Sequence, residues 1–231
     1  MIFILLIVWS TLSDLRAQPR ADYKEMLYHA FVTNDAEKAK SAVELLEESY
    51  DLNQTVDLLY ELTYAQQTVL GYEIEEEYFV RLYDKAKINS KKLILIDTLK
   101  SYGHTFLASI YAIQMGRSTM SAMFLAPKNK AHLKLALEAD DTNPVAWMQY
   151  GGFKFYAPGF FGGDLDDAIE SFEKSIKFFE EQENELTFNW DYLGTLNLLR
   201  TSYKKSGRKA DAQAIKMKAK SIEPRLTWVK N

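Results

Sequence analysis

The sequence predicts an all-α protein built from antiparallel helix hairpins. Three observations predict it. Glycine and proline are scarce, at 10 and 5 of 231 residues, about half their usual share. Apolar residues recur with the 3.6-residue period of a helix, and no stretch shows the period of two of a half-buried strand. The segments between the periodic runs are short, as in antiparallel helix pairs.

The elements follow in order. Ile2 to Trp9 is an apolar run, far below the ~20 residues a spanning helix needs. Its length suits the core of a secretory signal cleaved after Ala17, so residues 1–17 are expected to be a signal peptide and 18–231 a single helical domain. Past Pro19, the positions Tyr23, Met26, Leu27, Ala30 and Phe31 form a helical stripe. Ala39, Ala42, Val43, Leu46 and Tyr50 form a second after the turn at Asn34–Asp35. Leu58, Leu59, Leu62, Ala65 and Val69 form a third, ended by Gly71, and Phe79, Leu82, Tyr83 and Ala86 a fourth. A long apolar stretch from Leu93 to Met115 stops at Gly116. Pro127 is expected to part a short piece around Met120–Leu125 from a helix near Lys130–Ala139, because proline removes a helical hydrogen bond and crowds the preceding turn. Asn143 with Pro144 behind it is a helix start signal. The last three helices fall near 165–182, 189–206 and 208–222.

Composition narrows the function. With 47% hydrophobic and 26% charged residues the chain can build a soluble core, and a net charge of −4 argues against nucleic acid as the main partner. The absence of cysteine removes disulfides, thiolate metal sites and cysteine nucleophiles. His29, His104 and His132 show no metal-ligand spacing, and no phosphate-binding glycine loop or nucleophile elbow is present. Glu47–Glu48 and Glu75–Glu77 read as solvated acidic faces. Between Lys204 and Lys220 seven cations stand against Asp211 alone, a solvated face or a contact for an anionic headgroup or acidic partner. No enzyme, metal or cofactor is expected.

The helices repeat. The last pair reads Leu196-x2-Leu199-x3-Tyr203-x3-Gly207, then Ala212-x6-Ala219-x4-Pro224. Trp147-x2-Tyr150-Gly151 and Ala168-x3-Phe172-x2-Ser175 repeat it, as do Tyr23-x2-Met26 and Ala39-x3-Val43-x2-Leu46. Small residues let the paired backbones approach, while Trp147 and Phe172 are expected to fill the space between hairpins. The pattern resembles the tetratricopeptide repeat (TPR), which implies a TPR-like α-solenoid. The clearest repeats are 20–50, 143–182 and 189–224, whereas 53–125 match poorly.

Tyr23 to Ala39 and Leu196 to Ala212 both span 16 residues, but Trp147 to Ala168 spans 21. The extra length falls in Tyr156-Ala157-Pro158-Gly159-Phe160-Phe161-Gly162-Gly163-Asp164, with Asp164 a candidate N-cap. The Phe-Gly-Gly-Asp segment resembles an insertion in exported bacterial TPR proteins, among them the T-components of tripartite periplasmic transporters. Asn189-Trp190-x-Tyr192-Leu193 and the terminal Trp228-Val229-Lys230 add to that resemblance. It implies a periplasmic or cell-envelope location. Those T-components carry a lipid on an N-terminal cysteine, and this chain has no cysteine to carry one.

In TPR proteins the inner faces of the first helices bind the partner. Carried over, these positions are Lys24, Tyr28 and Phe31; Met148, Gly152, Phe155 and Tyr156; and Asn197, Thr201, Lys204 and Lys205. Phe160 and Phe161 in the glycine-rich loop are further candidates, either lining a pocket or plugging the loop onto its hairpin. The TPR clamp for C-terminal carboxylates needs a lysine followed four residues later by asparagine. Lys24 is followed by Tyr28, and Asn197 by Thr201, so that clamp is absent. The sequence therefore points to a protein-interaction scaffold without an integral membrane span. A solute- or lipid-binding accessory protein with an apolar ligand in its concave face is the alternative.

Overall fold

Side-chain caps fix where most helices begin. Asp35, Thr55, Ser118, Asn143, Asp164 and Asn189 each accept a hydrogen bond from a backbone N–H of the turn that follows, donors that the helix itself leaves without partners. A computed structural model describes residues 23–182 and 186–226. Among these residues lie ten α-helices and no strand. They are α1 over 23–33, α2 Ala36–Leu52, α3 Val56–Val69, α4 Glu76–Ile94, α5 Lys100–Arg117, α6 Thr119–Ala139, α7 Pro144–Tyr156, α8 Leu165–Glu181, α9 Trp190–Lys205 and α10 Lys209–Ile222. The all-α class is as the periodicity predicts. The expected signal peptide, 1–17, and the terminal Trp228-Val229-Lys230 lie outside the described residues.

From α2 onward each helix packs on its neighbour in the chain, and α3, α5, α7 and α9 also touch one another in turn. The odd-numbered helices thus form an inner layer and the even-numbered ones an outer layer, the arrangement of a helical-hairpin solenoid. The spiral is tightly closed. Tyr28 on α1 donates a hydrogen bond of 3.2 Å to Glu223, which follows α10. A Cβ on Gly194 of α9 would lie 4.0 Å from the Phe31 ring. One hydrophobic core runs from Tyr23 to Leu226, with a smaller cluster of Leu59, Leu93 and Phe106 beside it.

Two local expectations are corrected. α6 runs unbroken through Pro127. Pro127 is exposed on the outer side, and the packing of α6 on α5 is the most extensive between any two helices. That packing therefore holds both halves of α6 in line, and the hydrogen bond lost at Pro127 lies on the solvent side. Second, Trp147 does not fill the space between hairpins. It is only half-buried, its indole N–H donates to the Asp141 carbonyl at 2.7 Å, and Lys174 sits 4.4 Å above its ring. Phe172 is the plug. It is fully buried, and a Cβ on Gly151 would lie 2.7 Å from its ring, so glycine at 151 is what admits it.

The glycine-rich connection spans 157–164, against 206–208 between α9 and α10. Gly162 adopts φ +96°, the region glycine enters without strain. A Cβ on Gly163 would collide with the Ala157 carbonyl oxygen. Asp164 caps α8 through the N–H groups of Asp166 and Asp167, both at 2.9 Å.

Phe172→Ala is expected to cost ~3–5 kcal/mol, the range for truncating a buried aromatic. Trp147→Ala is expected to cost less than half of that, because its ring keeps much of its surface in water. Urea unfolding of the two variants side by side checks the order; equal losses would return Trp147 to the core.

Candidate functional site

Closure of the spiral leaves a half-open cavity of about 290 Å³ on the inner face. Six aromatic residues share its walls with polar ones. α3 places Tyr60 and Tyr64 four residues apart on one helical face, with Glu61 beside them. α5 contributes Tyr102, α7 Pro144 and Val145, and α8 Phe179, followed by Gln182. The approach to α9 supplies Thr187, Phe188 and Asn189, α9 supplies Trp190, and Lys24 of α1 completes the ring.

The Tyr64 ring lies between Phe106, at 5.6 Å and 11°, and Trp190, at 4.7 Å and 20°. Tyr60 meets Tyr102 edge-on at 5.1 Å. Such offset and edge-on ring pairs add to the stabilisation from burial alone. The Tyr64 hydroxyl donates to Asp191 at 2.7 Å. Burial pushes the Asp191 carboxyl up to about 6, against the opposing pull of that hydrogen bond. Burial first, and then the Asp191 charge, push the Tyr64 phenol well above its usual range, so it stays a protonated donor.

Two further buried carboxylates tie α1 into this layer. Glu61, 1% exposed, accepts a hydrogen bond from the Tyr23 hydroxyl and has the Lys24 ammonium 3.6 Å from its other oxygen. Glu223 accepts from Tyr28 and, at 2.8 and 2.7 Å, from the Arg225 guanidinium. The arginine hydrogen bonds hold its carboxyl down to about 2. The indole N–H of Trp190 is buried within the protein and has no hydrogen-bond partner among the described residues, a cost to the fold.

None of the ten candidate residues read from the sequence lines this cavity. Tyr28 comes nearest, buried and edge-on to the wall residue Phe188 at 5.5 Å. Phe31 faces Gly194, and Met148 is buried. Phe155 is partly exposed under Lys205, whose ammonium lies 4.8 Å from the ring. Asn197 accepts from Arg200 at 3.1 Å, Thr201 donates to the Asn197 carbonyl at 2.9 Å, and Lys204 is exposed. Tyr156, Phe160 and Phe161 are exposed at the far end of the α7–α8 hairpin. Of the inner-face positions only Lys24 reaches the cavity. Tyr60, Tyr64 and Trp190 were missed, although the aromatic spacing 60–64 and the Asn189-Trp190 cap were visible in the chain.

Outside the cavity, His104 of α5 and His132 of α6 bring their Nδ1 atoms to 2.8 Å. Burial, then the neighbouring His132 and Lys100, lower His104 to about 4. The pair is a neutral hydrogen bond across the α5–α6 interface. Among the described residues no group of three histidines or carboxylates is placed to hold a metal ion.

The Asp191 environment gives a pH signature. A folded-state value of about 6 exceeds the ~3.9 of an unfolded aspartate. The fold therefore holds this proton more tightly, and stability falls as pH rises from about 4 to about 6, by on the order of 2–3 kcal/mol in total. Asp191→Asn keeps an acceptor for Tyr64 and removes the charge. The stability of that variant relative to the parent is expected to rise across this window. Urea titrations at both ends check it; a pH-independent difference would show that Asp191 is not desolvated.

No protein-family model matches the chain, and no curated protein matches its sequence. Solved structures do. A thermophilic TPR protein of Thermus thermophilus matches with a TM-score of 0.57 at 19% identity, covering 87% of this chain and 92% of its own. The HusA haemophore of Porphyromonas gingivalis matches with a TM-score of 0.63 at 16% identity, covering 79% of this chain and 94% of its own. At these identities the likeness is one of fold: the chain is a TPR-like helical-hairpin solenoid.

Proposed function

We propose that this chain is a non-enzymatic binding protein of the bacterial cell envelope whose inner cavity holds a small, flat ligand that carries polar groups. The closed spiral carries this reading. Contact of α1 and α3 with α9 turns the groove of an open solenoid into an aromatic-walled cavity of about 290 Å³. That is the lower end of the range for small-molecule sites and too little for an extended peptide. Flat rings suit a flat ligand, and Lys24, Gln182 and Asn189 supply polar groups at the wall. The likeness to a haemophore supports the class, an exported protein with a small cargo. Export rests on the apolar run Ile2 to Trp9.

A polypeptide partner is the second reading, supported by the inner-face positions Phe155, Asn197 and Thr201, which stay at least partly open on α7 and α9.

Native mass spectrometry of the purified chain separates the two. A co-purifying small molecule is expected, with its occupancy reduced about tenfold in Tyr102→Ala, the loss of one aromatic contact. A co-purifying polypeptide and an empty cavity would overturn the ligand reading.

A further inference from the structure

We propose that the outer face of α6, with the Gly159–Phe161 turn beside it, docks on an anionic phospholipid bilayer. α6 carries two apolar faces. One, with Leu133 and Ala136, is buried in the fold. The other turns outward and carries Met120, Met123 and Phe124, which are 73, 69 and 69% exposed. Their spacing, continued by Pro127 and Ala131, keeps them on one side of the helix, opposite the buried face. An apolar stripe that no element among the described residues covers marks an interaction surface.

The loop of the next hairpin extends this surface. The Lys130 ammonium lies 3.4 Å from where a Cβ on Gly162 would stand, which places the turn carrying Phe160 alongside α6. Phe160 is 83% exposed and contacts Phe161 at 4.4 Å between ring centres.

Charge selects the partner. From Arg117 to Leu137 the chain has four cations and no acidic residue, although the whole protein carries −4. Arg117 is paired with Glu76, and Lys134 with Glu138 at 3.3 Å. Lys128 and Lys130, both exposed, flank the apolar stripe on either side. Of the nearby acids, Asp164 serves as the cap of α8 and Asp167 is paired with Lys154 at 2.7 Å, while Asp166 stands exposed on the first turn of α8. Aromatic and methionine side chains between lysines are the composition of a helix lying in the interface of an anionic membrane. A second copy of the chain seated on this face would set Lys128 and Lys130 against their own counterparts, which like-charge repulsion opposes. No helix among the described residues is long and apolar enough to cross a membrane, so the contact is peripheral.

Sedimentation of the full chain with phosphatidylcholine vesicles, with and without phosphatidylglycerol, tests this independently of whether the cavity holds a ligand. Met123→Glu with Phe124→Glu, and separately Lys128→Glu with Lys130→Glu, alter only exposed positions. Circular dichroism melts check that both pairs fold, and every variant keeps the apolar run Ile2 to Trp9, which thus contributes equally throughout. Binding is expected only with phosphatidylglycerol, weakening as salt is added, and falling about tenfold or more in each variant. Parental binding in either variant, or binding indifferent to phosphatidylglycerol and salt, would overturn the proposal. So would failure to bind vesicles, or a dimer of the parent that the Met123→Glu, Phe124→Glu chain no longer forms.

Discussion

The contact between Tyr64 and the first turn of α9 decides the shape of the molecule. It joins residues 127 apart in sequence by a hydrogen bond of 2.7 Å and a ring stack of 4.7 Å. Helical hairpins packed only on their neighbours make an open spiral, in which each unit sees the next and nothing further. A contact from the third helix to the ninth is of another kind. It closes a long loop, whose entropy cost grows only slowly with length, and it does so with aromatic area that repays ordering well. The cost falls on Asp191, which gives up water for a single phenol and consequently holds its proton more firmly. A buried carboxylate answered by one hydrogen bond fixes one geometry and tolerates few others.

The first helix makes sense only within this closure. α1 packs against α9 through Phe31 and Gly194, reaches the end of α10 through Tyr28 and Glu223, and meets α3 through Tyr23 and Glu61. Each of its polar links ends on a carboxylate that the surrounding helices have taken almost entirely out of water. Glu223 is well answered by Arg225 and Tyr28. Glu61 has Tyr23 and Lys24, both from α1. Leaving a buried carboxylate without its partners costs several kcal/mol, so the position of α1 is set by the needs of two groups on other helices as much as by its own apolar stripe.

What the sequence disclosed follows from range. The caps Asn143 and Asp164, the periodic stripes and the repeat spacing are properties of neighbours in the chain, and they located the last three helices to within a residue or two. Pro127 misled because a local rule was overridden by packing along α5. Trp147 and Phe172 were given the same role, and only the position of Gly151 shows which ring it admits. The cavity was the least legible part. Its walls come from α1, α3, α5, α7, α8 and α9, and inner-face positions carried over from an open repeat cannot show where a closed spiral brings its ends together. The His104–His132 pair, 28 residues apart and without ligand spacing, was hidden for the same reason.

The two layers of the solenoid meet most fully at α5. Tyr102 lines the cavity from this helix, and two turns further along the Ala108 carbonyl accepts from the buried Asn129 of α6 at 2.7 Å. His104 lies between them with its own bond to α6. Gly103 allows α4 to approach so closely that a Cβ there would stand 2.6 Å from the Ile94 nitrogen. α5 is therefore held on three sides, by α4, by α6 and by the aromatic wall. Such a helix acts as a strut: a displacement of the wall that carries Tyr102 is shared with α6. The inner cavity and the outer face of α6 stand on opposite sides of one well-packed helix pair, so each can be shaped by its own side chains while the spacing between them stays fixed.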